Sequence, residues 1–409
     1  MPPGTRLDRA RGQCVRGLQA VAMLLAVVAL AAWVAPPAQQ ATGDVQDWLR
    51  LLREHQVGAL DGAARQISGW DWSRLQPVLQ ELRQRAHPAV VVRSAALLSD
   101  IAFEIPSEAR PLPNVAGETI VADDGRVLRP GSRDGHLAAA RRLLDALPRS
   151  GSLDAPHVGA QVVAWYRTVS AVLASTHNLA DLEPHVTRAL ERFPGDAGIL
   201  FDAGCFYETF ASPLTQIPLA EDAARAEARA PAGMIVESRP AARMLVEAEK
   251  HFRRAVAADP TFVEASVRFG RVLTMRGRTQ EAATVLRRVA GHGSDRIVQY
   301  YGWMFYGAAL GQTGLPNEGL QAFRSAAALY PAAQSPQLAI SQLAADSGDP
   351  ALARAALERV FAPAAGSRPD DPWWSYFAGS GRDDMAVRRA FDDRIRALPL
   401  PNPEAWRVR

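Results

Sequence analysis

The chain has 409 residues, of which 48% are hydrophobic and 22% are charged, a composition that excludes global disorder. Its formal net charge of +3 arises within the first 16 residues, where four arginines face one aspartate, and the remainder is balanced. A neutral body attracts a phosphate backbone weakly, so we expect no nucleic-acid partner. Lys250 is the only lysine, which excludes a P-loop and a Ser-x-x-Lys nucleophile pair.

The N-terminal segment has the pattern of an export signal. Arginines precede an uncharged run, residues 17–43, whose apolar centre extends from Ala20 to Ala35. This pattern predicts either a cleaved signal peptide or an uncleaved N-terminal membrane anchor within residues 1–43, and a cytosolic chain with an unusual start is the remaining alternative. Because positive residues stay inside, export places residues 44–409 in the periplasm, anchored to the inner membrane facing the periplasm, or outside the cell.

Residues 44–150 predict a helical region that is interrupted by a loop. Apolar residues recur at helical spacing around Trp48, between Leu75 and Leu82, and between Val90 and Phe103. Residues 105–135 are rich in proline and glycine and break this rhythm. Inside them, Asp124-Gly125 stands between β-forming residues and predicts a hairpin over residues 119–128.

Residues 151–362 repeat a two-helix pattern. Ala248-x-x-x-Phe252-x-x-Ala255-x-x-x-x-Pro260 returns as Gly319-x-x-x-Phe323-x-x-Ala326-x-x-x-x-Pro331. In three pairs the first helix ends at a glycine. The successive glycines lie 37 and 34 residues apart, at Gly277, Gly314 and Gly348. Spacings of three and four put these residues on one helical face, with small residues where a second helix comes close.

This combination of period, turn glycine and small residues resembles the tetratricopeptide repeat, a helix-turn-helix unit of about 34 residues. The resemblance implies an all-α fold, an α-solenoid in which helix hairpins form a right-handed superhelix, with four pairs and a more degenerate fifth at 163–196. An insert at 211–240 separates one first helix from its partner helix. Gly319 replaces the usual alanine, and we expect it to weaken its helix by up to about 1 kcal/mol.

The resemblance also implies a function, because the first helices of such repeats line a concave groove that binds an extended or helical peptide. We therefore expect a non-enzymatic protein-interaction scaffold or adaptor in a bacterial cell envelope, with a protein or peptide partner. The alternative for each groove residue is surface exposure or packing between repeats. Aligning the glycines gives these groove candidates: Arg167, Phe201, Glu208, Glu264, Val267, Arg271, Tyr301 and Met304.

Residues 363–409 predict an aromatic linker followed by a capping helix. The linker contains Trp373, Trp374 and Tyr376, and the helix extends from Asp383 to Ala397. A solenoid must cover the apolar edge of its last pair, so we expect this tail to cap it. The alternatives are an aromatic ligand platform, a docking peptide, or a segment that docks into a neighbouring copy.

Catalytic and metal-binding patterns are absent from the sequence. The eight histidines are scattered, no His-x-x-x-His pair with an adjacent glutamate occurs, and no Gly-x-Ser-x-Gly elbow occurs. Cys205 stands alone after the leader and is expected to be a buried, inert thiol. We expect no cofactor, metal or catalytic residue; the alternative function is an envelope enzyme on a helical scaffold, with its site in residues 105–135 or near Trp373–Tyr376. The partner's identity and the oligomeric state stay open.

Overall fold

The structure is a computed structural model that describes the greater part of the chain's residues. These are residues 38–56, 72–104, 120–121, 127–128, 132–147, 156–176, 178–213, 215–217, 220, 240–361, 371–381 and 384–397. Of the predicted signal or anchor, residues 1–43, the part before Ala38 lies outside them, as do most of the 105–135 loop and most of the 211–240 insert. No helix in these ranges is both long and apolar enough to cross a membrane.

The described residues divide into two compact units, one ending at Leu147 and the other extending from Pro156 to Ala397. The elements of the first unit are α1 (Ala38–Gln56), α2 (Trp72–Arg85), α3 (Pro88–Glu104), β1 (Ile120–Val121), β2 (Val127–Leu128) and α4 (Arg133–Asp145). The strands pair antiparallel, with Ile120 opposite Leu128, so the predicted hairpin is confirmed. The indole of Trp48 on α1 is fully buried and donates a hydrogen bond to Ser94 Oγ on α3 at 3.0 Å.

The second unit contains the repeats and the tail. Its helices are α5 (Pro156–Ser175), α6 (Leu179–Arg192), α7 (Ala197–Phe210), α8 (Ala241–Ala258), α9 (Val263–Met275), α10 (Thr279–Arg287), α11 (Arg296–Gln312), α12 (Pro316–Leu329), α13 (Ser335–Asp346), α14 (Pro350–Phe361), a 3₁₀ helix (Pro372–Gly381) and α15 (Asp384–Ala397). From α5 to α14 each helix packs against the next one along the chain. The described residues thus contain five consecutive helix pairs, and the predicted tetratricopeptide-like solenoid is confirmed.

The insert at 211–240 does not prevent its flanking helices from pairing. The Phe201 ring on α7 lies 5.9 Å from the Phe252 ring on α8, measured between ring centroids. The ring of Phe252 also covers Gly204, where an added Cβ atom would approach to 2.5 Å. The predicted assignment of α8 as the displaced second helix of this pair is therefore confirmed.

The three turn glycines form the same helix end. Gly277, Gly314 and Gly348 have φ angles of 75°, 82° and 80°, a left-handed conformation that costs glycine little. The next N–H in each turn donates to a carbonyl five residues back, as from Arg278 to Leu273 at 2.9 Å. This hydrogen bond defines a Schellman C-cap, so the glycine spacings of 37 and 34 residues mark the same turn in successive pairs.

Gly319 on α12 has a packing role beyond the weakening expected from its low helix propensity. A Cβ atom added at Gly319 would lie 3.0 Å from the carbonyl oxygen of Gly307, and one added at Gly307 would lie 2.7 Å from the Phe323 ring. The backbones of α11 and α12 therefore cross closely only because both positions lack a side chain.

We predict that Gly307→Ala lowers the free energy of unfolding by about 1–3 kcal/mol through overpacking, partly offset by the better helix propensity of alanine. Gly159→Ala on α5 is the matched control, because nothing lies within 4 Å of an added Cβ atom there. The control should be neutral or stabilising by up to about 1 kcal/mol. Urea unfolding followed by circular dichroism measures both, and equal effects of the two substitutions would contradict the close crossing.

Candidate functional site

The first helices of the pairs share a surface, and part of the chain's own tail lies on it. The 3₁₀ helix packs against α5, α7 and α11, and side chains of α9 reach it as well. We call this surface of α5, α7, α9 and α11 the groove, and residues 371–381 the tail segment. The tail segment therefore occupies the surface on which the sequence placed a peptide ligand.

Tyr376 of the tail segment is deeply buried, with 1% of its surface exposed. Its ring lies beside two guanidinium groups of α9, with the Cζ of Arg268 at 4.2 Å and the Cζ of Arg271 at 4.7 Å from the ring centroid. Its hydroxyl donates to Glu208 Oε1 on α7 at 2.7 Å. Its carbonyl oxygen accepts from Arg268 Nη2 at 2.9 Å, so ring, hydroxyl and main chain are all recognised.

The charged residues around Tyr376 form one balanced network. Arg268 donates to Glu208 Oε2 at 3.0 Å and to Glu264 Oε1 at 3.2 Å, and Arg271 donates to Glu208 Oε1. The Arg268 side chain is 1% exposed and the Glu208 side chain 0%. Two positive and two negative charges offset each other, which is the condition under which buried ions are tolerated. The network joins α7, α9 and the tail segment.

The protonation state of Tyr376 follows from this environment. Burial raises the pKa of its phenol, and the neighbouring Glu208 carboxylate raises it further, while the two arginines act in the opposite direction. The net shift is upward, so the hydroxyl stays protonated and acts as a hydrogen-bond donor to Glu208. A neutral donor of this kind satisfies a buried carboxylate without adding charge.

Asp371 forms the second attachment of the tail segment. Its Oδ2 accepts from the backbone N–H and the hydroxyl of Ser335, at 2.8 and 2.7 Å. Its Oδ1 accepts from the Tyr300 hydroxyl at 3.0 Å and from the N–H of Trp373 at 3.0 Å. Asp371 thus lies at the start of α13 and also caps the 3₁₀ helix, two places where backbone N–H groups favour a carboxylate.

Aromatic contacts hold the tail segment between these two attachments. Tyr301 on α11 donates its hydroxyl to the carbonyl oxygen of Pro372 at 2.6 Å. The Phe305 ring meets the rings of Tyr376 and Trp373 at centroid distances of 5.2 and 5.7 Å. Trp374, in contrast, is 81% exposed and points away from the groove.

Four of the eight predicted groove residues take part in holding the tail segment. Glu208, Arg271 and Tyr301 contact it directly. Glu264 acts through Arg268, because its carboxylate accepts from the Arg268 Nε. The structure therefore brings these four together around one occupant, over three successive first helices.

The other four predicted residues pack within the array. Arg167 pairs with Asp202, with 3.2 Å between Nε and Oδ2. Phe201 packs against Phe262, with 4.7 Å between ring centroids. Val267 lies beside Gly302, and Met304 is 5% exposed. These contacts agree with the alternative considered for each residue, packing between repeats.

Four further residues hold the tail segment and were not predicted from the sequence: Arg268, Tyr300, Phe305 and Asp371. For Arg268 a signal exists, because Glu264-x-x-x-Arg268 is a helical i,i+4 ion pair and Arg268 precedes Arg271 by one turn. Tyr300 adjoins the predicted Tyr301 but reaches Asp371, and burial and Asp371 raise the pKa of its phenol. Nothing in the local pattern links Asp371 to α13, because the two are far apart in sequence.

The tail was predicted to cover the apolar edge of the last helix pair, but its described residues lie elsewhere. The tail segment lies along the first helices, and α15 packs against α5, where Phe391 and Ile395 are buried. At the last pair, Leu357 and Phe361 stay 39% and 79% exposed. The arrangement matches the docking-peptide alternative, with the peptide and the groove in one chain.

Other reactive side chains have packing roles. Among the described residues, no group of three or more histidine, cysteine or acidic side chains could hold a metal ion. His251 stacks on Tyr207 at 5.4 Å between ring centroids, and burial lowers its pKa to about 4, so it is neutral at pH 7. Burial raises the pKa of the Cys205 thiol well above its ordinary value, which keeps it protonated and weakly reactive.

We predict that Glu208→Ala lowers the free energy of unfolding by about 3–5 kcal/mol, because it leaves two buried arginines without their shared carboxylate. Glu247→Ala on α8 is the control, since the partner of Glu247 among the described residues is Lys250, whose side chain is 56% exposed. An exposed pair of this kind contributes less than about 1 kcal/mol. Guanidinium chloride unfolding distinguishes the two, and a Glu208→Ala loss as small as the control's would contradict the buried network.

No protein family and no curated protein matches the sequence. Among solved structures, PilF of Pseudomonas aeruginosa is similar at 14% identity and a TM-score of 0.37, over 58% of this chain and 90% of PilF. MamA of Desulfovibrio magneticus RS-1 is similar at 16% identity and a TM-score of 0.34, over 48% of this chain and 92% of MamA. At these values, the assignment of the fold depends on the helix pairs and turn glycines described above.

Proposed function

We propose that this chain is a non-enzymatic protein-interaction scaffold in the bacterial cell envelope, which binds a segment of a partner protein in the groove. The observation that supports this proposal most directly is the occupant of the groove. A surface that already holds a ten-residue 3₁₀ helix by main-chain and side-chain contacts has the chemistry of a peptide site.

The contacts are of the two kinds that peptide recognition uses. The carbonyl oxygens of Pro372 and Tyr376 accept from Tyr301 and Arg268, and such main-chain contacts add affinity for any peptide. The phenol of Tyr376 and the carboxylate of Asp371 enter specific polar sites, and such contacts select a sequence. The groove thus supplies affinity and selectivity together.

The ionisable groups of the groove favour binding over catalysis. Glu208 is shared by two arginines and a phenol, so its oxygens are engaged in hydrogen bonds. Arginine stays protonated throughout the physiological range and is a poor general base. A general acid or base needs a pKa near the working pH, and this network provides fixed charges instead.

The envelope location is supported by the arginines and the apolar run of residues 1–43. That pattern directs export, and positive residues stay on the cytoplasmic side. We therefore expect the partner to be a protein of the periplasm or of the inner membrane.

Site-specific crosslinking in living cells tests the proposal. A photoreactive benzoylphenylalanine at position 271 faces the groove, and the same residue at position 324, on the exposed part of α12, is the control. We expect adducts with a partner protein at position 271 to exceed those at position 324, because position 271 lies within the proposed contact surface.

Mass spectrometry of separated membrane, periplasmic and cytoplasmic fractions then identifies the partner and its compartment. Equal partner adducts at both positions would contradict the groove as the binding surface. Adducts found in the cytoplasmic fraction alone would contradict the envelope location.

A further inference from the structure

We infer that the tail segment is an internal competitor for the groove, and that the partner segment which displaces it carries an unmodified tyrosine in the place of Tyr376. The inference rests on the proposed function, since it describes the partner of that same site. Three features of the described residues support it: the chemistry around Tyr376, the attachment of Asp371, and the contacts that the end of α14 and the start of the tail segment make with adjacent residues.

The environment of Tyr376 selects tyrosine over other side chains. Phenylalanine fits between Arg268 and Arg271 but supplies no donor to Glu208, whose side chain is fully buried. A site built to bond a hydroxyl discriminates strongly against the analogue that lacks it. Phosphotyrosine would bring a charge of about −2 against the Glu208 carboxylate and is excluded. An aliphatic side chain would lose the attraction between the ring and the guanidinium groups.

The hydrogen bonds of Asp371 and those of Tyr376 go to different helices. Asp371 bonds to Tyr300 and to the first turn of α13, whereas Tyr376 bonds to α7 and α9. No described hydrogen bond of Asp371 involves Glu208 or either of the two arginines. The Tyr376 site can therefore exchange its occupant while Asp371 stays bound.

The end of α14 and the start of the tail segment contact two adjacent residues. Gln334 donates its side-chain N–H to the carbonyl oxygen of Val360 at 3.2 Å, and the adjacent Ser335 donates to Asp371. Val360 near the end of α14 and Asp371 at the start of the tail segment thus both lie beside the start of α13. A segment tethered at this point competes at an effective concentration on the order of millimolar, so a partner must match its contacts to displace it.

The exposed Trp374 offers a matched control. It lies two residues from Tyr376 in the same segment, and it is 81% exposed. Replacing Trp374 removes a large aromatic side chain from the tail segment without removing a contact with the groove residues named above. Replacing Tyr376 removes both the ring and the donor to Glu208.

A binding experiment with the full chain tests the inference. The probe is a fluorescent peptide with the sequence of residues 371–381, and fluorescence anisotropy measures its affinity for wild type, Tyr376→Ala and Trp374→Ala. We expect Tyr376→Ala to bind the peptide at least about tenfold more tightly than wild type, because its own tail segment competes less. Trp374→Ala should bind as wild type does.

Peptide variants test the selectivity for tyrosine. On Tyr376→Ala protein, the peptide with phenylalanine at the tyrosine position should bind at least about tenfold more weakly, and the phosphotyrosine peptide should not bind. The milder Tyr376→Phe protein provides a second test if Tyr376→Ala unfolds, and it should bind the tyrosine peptide several-fold more tightly than wild type. Circular dichroism checks that each variant is folded.

Specific outcomes would overturn the inference. Equal peptide affinity of wild type and both Tyr376 variants would show that the tail segment does not compete. Equal binding of the tyrosine and phenylalanine peptides would remove the selectivity. A wild-type dimer that Tyr376→Ala converts to a monomer, seen by light scattering, would show exchange of the segment between copies. Each of these results leaves the proposed function intact if position 271 still crosslinks to a partner, so the two failures are distinguishable.

Discussion

The shared carboxylate of Glu208 is the interaction on which the arrangement of the second unit depends. It joins α7 to α9 through Arg268 and Arg271, and it joins both helices to Tyr376. Taking four charged groups out of water is costly, and the cost is offset only when every member finds its partner. The network therefore specifies one register between two helix pairs and one position for the tail segment.

Because of this network, the tail segment has two roles at the groove. The tail segment contributes to the second unit by satisfying buried polar groups, and it also covers the surface that a partner would use. Weakening the segment should open the groove while leaving the helix pairs assembled, because the pairs are held by their own contacts, such as those of Phe252 on Gly204 and of Phe323 on Gly307. The contacts that hold the helix pairs together are therefore different from the contacts that keep the tail segment on the groove.

The local features of the fold could be predicted from the sequence, and the long-range ones could not. A turn glycine such as Gly314 and a small residue such as Gly319 act on their immediate neighbours, so their spacing reveals the helix pairs. The contact of Glu208 with Tyr376 spans 168 residues, and the sequence shows only an aromatic run there. For Arg268 the sequence shows the local pair with Glu264, but its bonds to Glu208 and to the Tyr376 carbonyl oxygen span 60 and 108 residues and leave no local signal.

A double-mutant cycle between Glu208→Gln and Tyr376→Phe tests the central claim most directly. Both substitutions largely preserve side-chain volume and alter the hydrogen bond between the Tyr376 hydroxyl and the Glu208 carboxylate. If Tyr376 occupies the groove as described, the free energies of unfolding should be non-additive, with a coupling energy of about 1–3 kcal/mol. Additive effects, with a coupling energy near zero, would contradict it.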